Sequence, residues 1–224
     1  MPSSGRPELV ASGCLVDVYD TILKSSFVAR VKALSRFLDV DADAWLGEWL
    51  KTRAQRDRGA LTMAKSFAQS LPAFGIDPVP ELVDELSRKD AELMRECTRV
   101  FDDTVPFFTR LRSQGILIAL VSNCADTTRP LLADLGLIPL ADAVVLSCEV
   151  GFTKPSPEIY VTALADLGVA ATDAVMIDDQ PAFCAGAEAV GVRAIQILRG
   201  DLDGQPPASG FPVVRSLLDA PGLF

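Results

Sequence analysis

Short uninterrupted apolar runs, each closing on an acid or a hydroxyl residue, constrain this chain more than any other feature. Cys14–Val16 closes on Asp17, Ile116–Val121 on Ser122, Ala143–Leu146 on Ser147 and Ala174–Ile177 on Asp178. A fifth run, Ala194–Leu198, follows Gly191. Runs of this length without polar alternation suit strands buried on both faces of a parallel sheet. Helical stretches separate them: Val105–Gln114, Arg129–Leu135, Pro157–Leu167 and Ala182–Val190. Each is followed by glycine (Gly115, Gly136, Gly168, Gly191), the usual stop before a new strand. The expected fold is α/β, a Rossmann-like parallel sheet with helices on both faces.

Residues 25–99 break this alternation. They hold no strand-like run and read as amphipathic helices over Phe27–Leu38, Ala42–Arg56, Leu61–Leu71 and Val79–Arg95. An all-helical block after the first strand is expected to be an inserted cap. The division is then 1–24 and 100–224 for the α/β core, and 25–99 for the cap. The Gly- and Pro-rich tail, Gly200–Phe224, is expected to wrap the core, with a short strand and helix over Phe211–Leu218.

Composition narrows the chemistry. The chain has no histidine, which removes Ser-His-Asp and Cys-His catalysis and His-bound zinc together. Catalysis must run on carboxylates, lysine, hydroxyls, thiols or an oxygen-held metal ion. Lys and Arg number 21 against 30 Asp and Glu, a formal charge of -9. That balance argues against nucleic acid or an anionic membrane as partner, and leaves a small anionic substrate. The five cysteines (Cys14, Cys97, Cys124, Cys148 and Cys184) are scattered and never spaced C-x-x-C, so a reducing compartment is expected. Met1–Gly13 has no signal-peptide core and no run approaches a membrane span, which points to the cytoplasm.

Sites in open α/β sheets form beyond the carboxyl ends of the strands. Those ends carry Asp17, Tyr19, Asp20 and Thr21, then Ser122 and Asn123, then Lys154, then Asp178 and Asp179. Clustered carboxylates repel and need a cation to stay ionised together. Lys154 and Mg²⁺ are the natural candidates.

The order of these residues resembles the haloacid dehalogenase-like (HAD) hydrolase superfamily. Leu15-Val16-Asp17-Val18-Tyr19-Asp20-Thr21 is similar to its first motif, and Ile118-Ala119-Leu120-Val121-Ser122-Asn123 to its second. Val150-Gly151-Phe152-Thr153-Lys154-Pro155 is similar to the third, and Val175-Met176-Ile177-Asp178-Asp179 to the fourth. The resemblance implies Asp17 as a covalent nucleophile, Ser122 holding the transferring group, and Lys154 neutralising Asp17 and the substrate anion. It implies Mg²⁺ held by Asp17, the Tyr19 carbonyl and Asp178, with Asp179 assisting. Thr21, Asn123 and, from the cap, Arg53 complete the substrate-binding set.

Two features of the chain pull apart. Phosphatases of the superfamily place a general acid two residues after the nucleophile, where this chain has Tyr19; Asp20 falls one residue later. Asp-x-Tyr-x-Thr resembles the metal-independent 2-haloacid dehalogenases, as does Tyr160. Those enzymes, however, carry a water-activating acid where this chain has Phe183, and lack the Asp178-Asp179 pair. A Mg²⁺-dependent phosphatase is the leading reading. A dehalogenase, or a degenerate member that binds a ligand without turnover, stays open, as does monomer against homodimer.

Other side chains have plainer readings. At least two of Arg53, Arg56 and Arg58 suit a solvated helix face. Trp45 and Trp49, four apart, suit the core of the cap. Tyr160 suits packing beside Leu164, and Cys124, next to the second motif, has no visible activation.

Overall fold

In the computed structural model, residues 11–200 and 210–223 are described. The reading of Met1–Gly13 therefore lies mostly outside the described residues, as does that of the tail over 201–209.

Strand β1 (Gly13–Val16) is fully buried and central. It pairs in parallel with β4 (Leu117–Ser122) on one side and β6 (Ala174–Asp178) on the other. Outside these lie β5 (Ala143–Leu146), β7 (Arg193–Ile197) and β8 (Val213–Val214), giving the order β5-β4-β1-β6-β7-β8. All five ladders are parallel.

Successive residues of a strand face opposite sides of the sheet, and the core divides accordingly. Cys14, Val16, Ile118 and Leu120 pack with Phe107, Phe108 and Leu111 of helix α6 (Thr104–Ser113) and Leu131 and Leu132 of α7 (Thr128–Asp134). Leu15, Ala119 and Val121 pack on the other side with Ile159, Tyr160 and Ala163 of α9 (Pro157–Leu167) and Ala187 of α10 (Pro181–Ala189). The expected doubly covered α/β sheet is what forms. Gly168, at φ 69°, ends α9 as its position in sequence foretells.

Five helices lie between β1 and β4 and before α6: α1 (Phe27–Leu38), α2 (Ala42–Lys51), α3 (Arg53–Asp57), α4 (Met63–Ser70) and α5 (Pro80–Glu96). They share a separate hydrophobic cluster built on Trp45, Trp49, Phe67, Leu71 and Leu86. Both tryptophans are buried, as their spacing suggests. The expected single helix over Ala42–Arg56 is instead two, with a break at Thr52. Its hydroxyl donates to the Trp49 carbonyl at 3.1 Å and pairs with Ser66 Oγ at 2.7 Å, a local bonding pattern that bends helices.

The expectation that residues 25–99 hold no strand is corrected. Strands β2 (Leu23–Ser25) and β3 (Thr98–Val100) pair antiparallel, Leu23 opposite Val100 and Ser25 opposite Thr98. At three residues each they are too short to show a period in sequence. In the tail, a short strand β8 lies beside β7 as expected, and the helix that follows is a 3₁₀ helix over Leu217–Leu223, beginning near the end of the expected span. A one-turn helix α8 (Ser147–Val150) follows β5. No helix among the described residues is long and apolar enough to cross a membrane.

Candidate active site

The parallel registers bring the strand ends level. Val16 lies opposite Leu120 and Ile177, so Asp17, Val121 and Asp178 follow side by side. The Asp17 N–H donates to the Ile177 carbonyl at 2.9 Å, which fixes the first residue beyond β1 against β6.

Lys154 reaches this edge from the loop before α9. Its ammonium donates to Asp17 Oδ1 at 2.5 Å and to Asp178 Oδ2 at 2.6 Å, and all three side chains are almost wholly buried. Asp178 Oδ1 accepts the Gln180 N–H at 2.9 Å. The Asn123 side chain grips the Lys154 backbone from both ends. Its amide donates to the Lys154 carbonyl at 2.9 Å, and its oxygen accepts the Lys154 N–H at 2.7 Å. Asn123 therefore positions Lys154, besides lining the cavity described below.

Burial sets the ionisation of the group. It pushes the Asp17 carboxyl up to about 7, against the pull of Lys154, and Asp178 shifts in the same direction for the same reason. Asp179 is pushed up to about 6, by burial first and then by the Asp17 charge. Burial works to lower the Lys154 ammonium, but Asp17 and Asp178 outweigh it and hold Lys154 above its usual value. Lys154 is thus a fixed positive charge between two carboxylates.

Oxygen atoms of Asp17, Asp178 and Asp179 lie within 4.8 Å of one another. Three carboxylates of this kind are a hard donor set that fits Mg²⁺ rather than a soft metal. The Tyr19 carbonyl, expected as a further donor, belongs to the turn after β1. That turn closes through the Val18 carbonyl, which accepts the N–H groups of Ile22 and Leu23 at 3.0 and 2.9 Å.

The rest of the first motif is arranged by the same turn. Asp20 adopts φ 58°, a left-handed conformation that aspartate tolerates better than most residues. The Tyr19 hydroxyl pairs with Thr128 Oγ1 at 3.0 Å, and burial raises its pKa. Thr21 is buried with no protein partner for its hydroxyl. Its carbonyl accepts from Arg199 Nε at 3.0 Å and Nη2 at 2.7 Å. Ser122 Oγ is likewise buried without a protein partner, beside the Asp17 strand. A buried unpaired hydroxyl is costly and calls for a ligand.

A cavity of about 320 Å³ lies between this edge and the helices α1–α4. Tyr19, Asp20 and Asn123 line it from the sheet, and Trp49, Arg53 and Asp57 from the helices. Arg53 is 66% exposed and sits 3.4 Å from Asp57. Arg56, read as surface or ligand, is buried: it donates to the Trp49 carbonyl and to Ser66 Oγ, both at 2.8 Å, and also to Thr52. Thr21 is not among the lining residues.

Tyr160 is buried in the core and donates to the Phe183 carbonyl at 2.7 Å. The Phe183 ring lies 5.0 Å from the Lys154 ammonium. Where Tyr160 meets α10, a Cβ on Gly186 would lie 2.8 Å from the Tyr160 hydroxyl and 2.7 Å from Pro155 Cβ. Only glycine lets the helix after β6 approach the Lys154 loop this closely. Sequence reasoning overlooks Arg199 and Thr128. Arg199 follows the fifth strand run, and that position beyond a strand end is the signal that could have found it.

A family model described as haloacid dehalogenase-like hydrolase matches residues 11–191. The chain is 34% identical to the phosphoserine phosphatase of Thermus thermophilus over 134 residues, which cover 58% of this chain and 53% of that protein. It is 27% identical to the glyceraldehyde 3-phosphate phosphatase of Methanopyrus kandleri over 215 residues, 92% of both chains. Among solved structures, a HAD phosphatase from Thermococcus onnurineus superposes with a TM-score of 0.67 at 24% identity, covering 95% of this chain and 97% of that one. The matched span runs from just before β1 to just beyond α10 and so takes in every strand end that bears a site carboxylate. The chain belongs to the haloacid dehalogenase-like hydrolases.

Proposed function

We propose that the chain is a phosphatase acting on a small phosphomonoester through an aspartyl-phosphate at Asp17, with Mg²⁺ as cofactor. The observation that carries this reading is the Lys154 ammonium bonded to Asp17 and Asp178, with Asp179 completing a three-carboxylate set. The names of the aligned relatives support the same choice.

An Asp17 oxygen attacks phosphorus as the bond from phosphorus to the leaving oxygen breaks, and water then hydrolyses the acyl phosphate. Lys154 draws Asp17 toward its ionised form and offsets charge on the phosphoryl oxygens. The unpaired Ser122 hydroxyl donates to one of those oxygens. Asp17, Asp178, Asp179 and the Tyr19 carbonyl would hold Mg²⁺, which when bound supplies further neutralisation of that charge. Helices within 25–99 act as the cap over the cavity, and Arg53 and Asn123 meet the rest of the substrate there, with Thr21 supporting the loop beneath it. The site works on a soluble metabolite in the cytoplasm.

A panel of phosphoesters, assayed with Mg²⁺ or with chelator and with Asp17→Asn as control, tests the proposal. Phosphate release that needs both Mg²⁺ and Asp17 is expected; release unchanged in Asp17→Asn would overturn it. Tyr19 favours haloacid dehalogenation as the second reading. Phe183 against Lys154 opposes it, because the phenylalanine ring at that position cannot activate water. Halide release from a 2-haloacid in chelator, with no phosphatase activity, would decide for that reading, and binding of a phosphorylated ligand without turnover would indicate a non-catalytic member.

A further inference from the structure

We propose that Cys124 and Cys148 form a reversible disulfide on exposure to a hydroperoxide, and that this bond disturbs the loop carrying Ser122 and Asn123. The second clause rests on the phosphatase reading, because its readout is turnover; the first does not.

The two cysteines are placed by the sheet. Ser122 of β4 pairs in parallel with Leu146 of β5, and each cysteine lies two residues beyond its partner. Adjacent strands run about 4.8 Å apart, within the ~4.4–6.8 Å that a disulfide needs between Cα atoms. The strands end here, but Ser147 keeps the two backbones together. Its hydroxyl accepts the Cys124 N–H at 2.9 Å and donates to the Cys124 carbonyl at 3.3 Å. Both cysteines are free thiols, and their side chains are close enough to influence each other's ionisation.

The pair is asymmetric in access to solvent, and that difference sets the order of reaction. Cys148 is half-buried, with Arg129 nearby, and its interaction with Cys124 holds its thiol below the usual range against burial and the charges of Glu149 and Asp126. Cys124 is buried, and its thiol is held well above the usual range by its interaction with Cys148 and by burial. A thiolate with access to solvent is the nucleophile in such chemistry. Cys148 attacks the terminal peroxide oxygen, the O–O bond breaks, and the other oxygen leaves as an alcohol, or as water from hydrogen peroxide, once a proton is taken up; Cys148 is then a sulfenic acid. Cys124 attacks that sulfur, the S–S bond forms, and the hydroxyl leaves as water with the Cys124 proton. Two thiols are oxidised and one hydroperoxide is reduced.

Closure draws the sulfurs together to about 2.05 Å. Cys148 cannot move far, because Gly59 of the helical block packs on its carbonyl so closely that a Cβ there would clash. The movement falls on Cys124, and so on Asn123, whose side chain holds the Lys154 backbone. Cys124 also lines the cavity.

The test treats the full chain with hydrogen peroxide and reads intact mass and linked peptides. A loss of two hydrogens, with Cys124 and Cys148 peptides joined and separated again by dithiothreitol, is expected. Cys124→Ser is expected to leave a sulfenic acid at Cys148 that a 1,3-dione traps, and Cys148→Ser to form no link. Both thiols remaining open to alkylation after peroxide, or a link through another cysteine, would overturn the proposal. Phosphate release is expected to be lost on oxidation and restored by dithiothreitol; full activity with the bond in place would overturn its coupling to the site. The mass readout stands whether or not the chain releases phosphate, so failure of one claim is distinguishable from failure of the other.

Discussion

Ser122 has no protein partner for its buried hydroxyl, so alanine there removes nothing that the fold uses. Ser122→Ala is expected to keep or slightly raise the thermal midpoint. The same change is expected to lower kcat/KM for a phosphoester by about 10- to 100-fold, the worth of one hydrogen bond to a charged group, ~1.5–3 kcal/mol. Thermal melts and steady-state kinetics on one preparation separate the two effects, and a large fall in midpoint would contradict the argument. Tyr19 supports a second expectation. Without an acid at that position the leaving oxygen departs with little proton assistance, so rates should fall steeply as the leaving-group pKa rises. Tyr19→Asp should speed alkyl phosphates by about 10² or more, the usual worth of general acid help. A flat dependence in the native chain would show that another group donates the proton. Asp17, Lys154 and Asp178 are legible in sequence because each ends an apolar run or follows one within a loop. Asn123 is harder to read: the sequence marks it as a substrate contact, and its amide also grips the Lys154 backbone from both ends. Nothing local announces a partner 31 positions away.

At the level of elements, the loop after β1 is tied to the far side of the sheet by Asp103 and Arg199. Asp103 accepts from Arg199 Nη1 at 2.7 Å and Nη2 at 2.9 Å, from Ser216 Oγ at 2.8 Å and from the Leu217 N–H at 2.9 Å. Burial raises its carboxyl pKa, but these four donors outweigh burial and leave it below the usual value. A depressed folded pKa gives stability that is present above the unfolded value, about 3.9, and is lost as pH falls through the folded value. Asp103→Asn is therefore expected to cost about 1.5–3 kcal/mol at pH 7. In urea titrations the gap to the native chain should narrow as pH drops below about 4, and a gap constant across pH would argue against the clamp. Gly186→Ala places a methyl against Pro155 and Tyr160, and overpacking of that kind costs about 1–3 kcal/mol. The sheet strands are visible in sequence because burial on both faces demands unbroken apolar runs. β2 and β3 are invisible because a pair made of Leu-Lys-Ser and Thr-Arg-Val is specified by where the chain crosses, not by its own composition.

Across the whole molecule, two hydrophobic clusters flank one sheet and a third belongs to helices α1–α5. The third cluster is smaller and has no strand ladder to hold it, so its amides are expected to exchange at lower opening free energy than those of β1, β4 and β6. Native-state hydrogen exchange measures this directly, and equal protection throughout would mean a single cooperative unit.

The antiparallel pair at the root of those helices makes the segment between its strands interchangeable. The chain departs through β2 and returns through β3, with the two strands about 4.8 Å apart, as in any ladder. A segment whose ends already touch can be exchanged, lengthened or shortened with almost no change in closure entropy. Everything between Ser25 and Thr98 can thus change in length or sequence without moving the strand ends that carry Asp17 and Asp178.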